Sequence, residues 1–284
     1  MKSIFSLITL FLFVHFGISA QQISGTITDS LSHKPLEYVS IGILNSRIGT
    51  ITDSLGNFSL NTKGDTLSKL RISMIGYQPK QFRVKNLLHH KNEIRLVESV
   101  ISLPAVVIQP THKRKVGATK ANKSAGWSGW GGLRKGKGHE IGIILDLGKQ
   151  PVKIQDLNVL LKRQSFEKSI YRLHIRAVKD GKISDELLKQ NIIFSITEES
   201  GWAKIDLASY DIIVHGKVAV SLEWLDVAGN HPERAMKIMK RKTDAYILLK
   251  NTKHFAGIVR WGVEAKWRIT PKYAPCMYLN ILEQ

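Results

Sequence analysis

The chain has one cysteine in 284 residues, Cys276. No disulfide can close within it, so its stability has to come from packing. Beside Met277, Cys276 reads as a small buried apolar side chain rather than a reactive thiol. Acidic residues are also scarce, with 23 Asp and Glu against 42 Lys and Arg, a formal net charge of +19. That shortage argues against a calcium loop at Asp53, Ser54, Gly56 and Asn57. This turn offers one carboxylate where calcium takes about six to eight oxygens. The long apolar run of a membrane helix is missing as well. The one apolar stretch, residues 4–16, falls short of the roughly 20 residues that span a bilayer. It follows Lys2 and precedes GISA with Ala20 at the end, the pattern of a secretory signal peptide over residues 1–20. Export to the periplasm or the outer membrane is therefore expected, with no transmembrane span after cleavage.

The positive charge survives removal of the leader, because only Lys2 is lost with it. Such an excess suits an anionic surface or a polyanion partner. It is concentrated between Thr111 and His139, where Lys113, Arg114, Lys115, Lys120, Lys123, Arg134, Lys135 and Lys137 occur without one acid. The segment is also rich in glycine, so residues 109–138 are expected to be a basic linker.

On either side of that segment the pattern is β. Residues 22–108 contain seven short alternating strands, among them Ile23 to Thr28, Asn57 to Asn61 and Leu67 to Ile75, the signature of a small sandwich. Residues 139–284 contain nine more, including Ile170 to Val178 and Lys217 to Leu225. In the first of these, Tyr171, Leu173, Ile175 and Ala177 alternate with Arg172, His174 and Arg176, which predicts one core face and one wet face. Asp180 and Gly181 predict a hairpin turn, and SDELLKQ after it a single helical turn. The expected fold is thus all-β, with two β-sandwich domains, the second larger.

The residues Gly25, Ile27, Asp29, Pro35, Leu36, Val39, Ile41, Thr52, Asp53, Gly56 and Phe58 carry a resemblance. Their order resembles the carboxypeptidase regulatory-like domain, a transthyretin-like seven-stranded sandwich, over residues 22–108. Within it Asp29, Pro35, Asp53, Gly56 and Phe58 are structural positions, explained by turn geometry and core packing. The segment LPAVVIQP that follows resembles the exit strand seen after this module in outer-membrane transporters, although the remaining chain is too short for their barrel. GWAKIDL and VAVSLEW give residues 139–284 a loose similarity to jelly-roll or galactose-binding-like sandwiches. The first resemblance implies an envelope setting, and neither assigns a ligand.

Chemical motifs are weak. GGLRKGKG at residues 131–138 has P-loop spacing, but Gly138 stands where Ser or Thr would hold magnesium and a strand follows where a helix should. No nucleic-acid motif is present. His90 and Glu93 have the spacing of a zinc carboxypeptidase pair, without a third ligand or general base. No catalytic residue, metal or cofactor is therefore assigned, and the protein is not expected to be an enzyme. The expected function is a non-catalytic, exported binding or scaffolding protein of the bacterial cell envelope, contacting a protein or glycan. One alternative is polyanion binding through Lys113 to Lys115 and Arg134 to Lys137. Another is a hydrolase with an unrecognised site after residue 139. Candidate ligand contacts are Trp127, Trp130, Arg134, Lys135 and Lys137, with docking against the second domain an equal alternative for Trp127 and Trp130, while Trp202, Trp224, Trp261 and Trp267 are expected in the core.

Overall fold

The computed structural model describes residues 21–99, 112–131, 137–231 and 246–283. Arg134, Lys135 and the expected signal peptide lie outside these residues. Among the described residues the chain is nearly all β, and no helix is long and apolar enough to cross a membrane.

Seven strands form the first module. They are β1 (Gln22–Asp29), β2 (Ser40–Ile43), β3 (Gly49–Ile51), β4 (Asn57–Asn61), β5 (Lys69–Ser73), β6 (Lys80–Arg83) and β7 (Lys91–Leu96). One sheet has the order β4-β1-β7 and the other β3-β2-β5-β6. Alternation directs Ile23 and Ile27 of β1, Phe58 and Leu60 of β4, and Leu70 and Ile72 of β5 into one core. The turns follow from their residues. Asp29 Oδ1 accepts hydrogen bonds from the Leu31 and Ser32 amides, and Asp53 Oδ1 from the Leu55 and Asn57 amides. Gly56 sits at φ +71°, where an added Cβ would lie 2.4 Å from the Ile27 carbonyl oxygen. Its glycine is a geometric requirement.

Fifteen further strands make the second unit. One sheet runs β13 (Lys182–Glu186), β12 (Phe166–Lys179), β17 (Lys217–Asn230), β10 (Glu140–Asp146), β19 (Gly257–Arg260) and β20 (Arg268–Thr270), with β14 (Ile193–Ile196) paired to β12. The other runs β21 (Ala274–Pro275), β18 (Tyr246–Thr252), β11 (Val152–Gln164), β22 (Met277–Glu283) and β8 (His112–Gly117). Paired to it are β15 (Gly201–Asp206) and β16 (Ile213–Val214) on β11, and β9 (Trp127–Gly131) on β18. Between the sheets lies the larger core, with Leu173, Ile175, Val220, Leu222 and Trp224 facing Leu157, Val159, Met277 and Leu279. Cys276 is fully buried there, and burial pushes its thiol up to about 11.

Three expectations change. The supposed linker contains two strands of the second sheet, because Val116 and Trp130 enter its core while Lys113 and Lys115 of β8 point outward. An edge strand tolerates such charges, and they hid its pattern. Where a helical turn is expected in SDELLKQ, residues 184–186 belong to β13, paired to β12 across the Asp180–Gly181 turn, where both residues have positive φ. The nine strands expected after residue 139 are outnumbered because two-residue strands such as β16 and β21 carry too few side chains to show a period.

The two units are joined by a buried polar contact. Arg172 of β12 is 1% exposed. Its guanidinium donates to the Tyr38 carbonyl and to Ser40 Oγ of the first module, and pairs with Glu223 at 2.9 Å. Nearby, Arg71 pairs with Glu264 at 2.8 Å, and the Asn45 amide donates to the Glu264 carbonyl. Removing one member of a buried pair leaves the other charge stranded. Arg172→Ala should therefore lower unfolding stability by about 3–5 kcal/mol in urea titrations. A loss under about 1 kcal/mol would mean that the contact is solvated.

Candidate functional site

The face of β12 that the sequence marks as wet is covered. Arg172, His174 and Arg176 are all buried, as are Glu140 of β10 and Glu223 of β17. Strand register explains the convergence, because Arg172 stands opposite Glu223, which in turn stands opposite Glu140, which is opposite Arg260. Arg176 binds Glu140 at 2.6 Å, Ser221 Oγ donates to the same carboxylate, and Arg260 pairs with it from β19. His174 lies between Glu186 Oε2 at 2.6 Å and Glu223 Oε2 at 3.0 Å. The Trp267 ring packs under the guanidinium groups of Arg260 and Arg176 at 4.9 and 5.3 Å. The sequence could not show this burial, because the cover comes from β2 and its flanks, more than a hundred residues away.

Glu140, His174 and Glu223 bring ligand-type atoms within 4.8 Å of one another, the spacing of a metal site. Their partners argue against that use. Both carboxylates are already held by arginines, and a divalent ion would sit among three guanidinium groups. The chemistry is that of an ion-pair lattice. Burial works to raise the Glu140 carboxyl, but Arg176, Arg260 and His174 overcome it and hold it well below the usual carboxylate range. Burial also opposes ionisation of Glu223, yet Arg172 and His174 bring it down to about 2. For His174, burial and Arg176 favour the neutral ring, and Glu140 with Glu186 outweigh them, so its pKa is raised. A carboxylate kept ionised in this way is a poor proton donor.

The expected ligand contacts separate. Trp130 is 1% exposed, with its indole N–H on the His139 carbonyl and its ring 5.3 Å from Tyr171, which makes it a core residue. Its place on an edge strand facing inward explains the correction. Trp127, on the opposite face of β9, is 45% exposed, with Lys162 over its ring. Lys137 pairs with Asp226 at 2.7 Å on the wall of a cleft of about 950 Å³ between the two units. Tyr38, His139 and Trp261 also line that cleft. Burial, with Arg47 nearby, lowers His139 to about 4, so its ring is neutral at neutral pH.

Trp202 was expected in the core and is 39% exposed. It projects from β15 on the outer face of the second sheet, since its neighbour Ala203 is the residue that enters the core. The ring meets Tyr278 of β22 edge-on at 5.0 Å, and Lys115 of β8 lies 5.4 Å over the Tyr278 ring. Asp156 of β11 sits beside this group, where its Oδ1 accepts from the amides of Asn158 and Asn280 and its Oδ2 lies 3.4 Å from Lys204. A groove of about 460 Å³ opens there, lined by Lys113, Lys115, Asp156, Lys204, Asp206 and Asn280 among others. An exposed indole can stack on an apolar ring face, while neighbouring amides and a carboxylate hydrogen-bond that ring's polar edge. The available sequence signal was the alternation in GWAKID, which sets Trp202 and Ala203 on opposite faces.

These features define an all-β protein with two cores, one sheet face carrying buried ion pairs against the first module and the other turned away from it. Residues 23–108 match the family model of the CarboxypepD_reg-like domain, and the first module is a domain of that kind. No curated protein matches the chain. Among solved structures, the cysteine protease and lectin-like domains of a surface-layer-associated protein of Clostridium difficile are 7% identical, with a TM-score of 0.36. A clostridial cysteine protease after propeptide cleavage is 9% identical, with a TM-score of 0.38. Each comparison covers 93% of this chain, which spans 59% and 66% of those two chains. A candidate carbohydrate-binding protein of Bacteroides uniformis is 12% identical, with a TM-score of 0.25 over 93% of this chain and 99% of that one. Likeness at this level assigns no ligand or activity.

The lattice should give stability a defined pH window. Glu223, lowered from 4.5 to about 2, contributes above 4.5 and loses its contribution as pH falls through 2. His174, raised, contributes fully below 6.5 and loses its contribution as pH rises through its higher folded value. Thermal unfolding across pH should show a plateau from about 4.5 to 6.5 and a decline on both sides. A Glu223→Gln variant should flatten the acid limb, and an unchanged acid limb would contradict the assignment.

Proposed function

We propose that the protein is a non-catalytic binding protein of the bacterial cell envelope, and that it binds a glycan on the outer face of the sheet containing β11, β15 and β22. The observation that carries this reading is the exposed Trp202 ring against the half-buried Tyr278 ring, beside the Asp156, Asn158 and Asn280 cluster. Trp202 packs edge-on against Tyr278 yet keeps 39% of its surface exposed, and that ring surface suits the apolar face of a sugar. The neighbouring amides and carboxylate suit hydroxyl groups, which both donate and accept. The first module acts as the scaffold, seated through Arg172 against the opposite sheet. The export expected from the leader pattern places such a surface where envelope glycans are met.

The hydrolase alternative has less support. The clustered carboxylates Glu140, Glu186 and Glu223 are all held below their usual range, so none is poised as a general acid. A glycan array with the full chain, repeated with Trp202→Ala, tests the reading. Binding should weaken by about 10-fold or more in the variant, while its melting temperature stays close to that of the parent. An array without glycan signal, together with a protein partner whose capture is unaffected by Trp202→Ala, would replace this reading with a protein-binding one.

A further inference from the structure

The open face is flanked by cations without a carboxylate partner among the described residues. Lys113 and Lys115 are exposed on β8, and among the described residues neither makes an ion pair. The contrast with their neighbour is direct, because Arg114, between them, is committed to Glu283 at 2.8 Å. Alternation accounts for the difference. Val116 points into the core, so Arg114 shares the inner side and Lys113 with Lys115 share the outer one. Strand register then carries them over the groove, since Lys115 stands opposite Asn280 and Asn280 opposite Asp156. Lys204 enters from β15, opposite Asn158 on the far side of β11.

The groove is lined by Lys113, Arg114, Lys115 and Lys204 against Asp156 and Asp206, a local excess of positive charge. Of these cations, Arg114 and Lys204 already have carboxylate partners. Lys113 and Lys115 are left to meet an incoming anion, and Lys115 is also in contact with the aromatic pair through Tyr278. Sugar-stacking and anion-pairing groups are therefore contiguous, with Lys115 and Trp202 both against the Tyr278 ring.

We infer that this face selects an acidic saccharide, with one sugar ring on the Trp202–Tyr278 pair and its anionic substituent in the groove against Lys113 and Lys115. The inference rests on the glycan reading above and adds the ligand's charge. The Asp156 carboxylate, fixed by Asn158 and Asn280, accepts from hydroxyl groups of the same sugar. Exposed lysines are screened within a Debye length of about 8 Å at physiological salt, so the anionic part of the affinity is salt-dependent while the stacking part is not.

The test uses the full chain and hexamers of galacturonate, mannuronate and guluronate, each beside its uncharged methyl ester, with affinities measured by calorimetry at two salt concentrations. At least one acid should bind about 10-fold more tightly than its ester at low salt. That preference should vanish in the Lys113→Gln, Lys115→Gln double variant, whose changes lie on an exposed edge strand. Equal binding of every acid and ester in the parent protein would overturn the inference and leave the glycan reading standing. A preference that persists in the double variant would also overturn it, by placing the anion elsewhere. Acid binding unaffected by Trp202→Ala and competed equally by polyphosphate would reduce the face to a polyanion surface and overturn both. Absence of binding to every member would count against both as well.

Discussion

The arrangement of the molecule depends on one buried contact, the Arg172 guanidinium shared between Glu223 of its own sheet and the Tyr38 carbonyl and Ser40 hydroxyl of the first module. An arginine with almost no solvent exposure has lost its hydration and must recover it from fixed acceptors. Here the acceptors come from two units, so the group is satisfied only when they are docked. Glu140, Arg176, His174 and Arg260 extend the same logic across β10, β12 and β19, with Glu140 held below its ordinary protonation range and His174 and Arg176 above theirs. Hydrophobic contact alone would not specify the seating so narrowly, because the two apolar cores are separate.

This seating decides which surface is left for recognition. A sandwich of two sheets has two outer faces, and the lattice gives one of them to the first module. On the other, the residues that point outward are Trp202, Tyr278, Asn158, Asn280, Asp156 and the lysines of β8. The inward residues of the same strands are plain core, as Ala203, Leu157 and Leu279 show. Core packing thus uses the inward set, while the outward set contacts only its own neighbours on the sheet surface. The glycan proposal takes that remainder as its starting point, and the free lysines give it a sign of charge.

The first module was legible in the sequence because its signals are local. Asp29, Asp53 and Gly56 fix turns by hydrogen bonds and backbone geometry within a few residues, and Phe58 follows by alternation. The core face of β12 was legible for the same reason. Its other face was not. Alternation reports that Arg172, His174 and Arg176 share a side, but only the tertiary fold brings Ser40 and Tyr38 against it. Charge misled in a second place, where the cations of β8 concealed a strand whose inward Val116 is its only apolar clue. Trp130 and Trp202 were misplaced in opposite directions, since a tryptophan's volume says nothing of which side of its strand meets the core.

The most direct test of the account is to follow the six tryptophan indole N–H signals by NMR while titrating the full chain with a saccharide that it binds. The account predicts movement of the Trp202 signal, with Trp130 and Trp224, fixed in the core, unchanged. Movement of Trp261, in the cleft between the units, with Trp202 unmoved would contradict it.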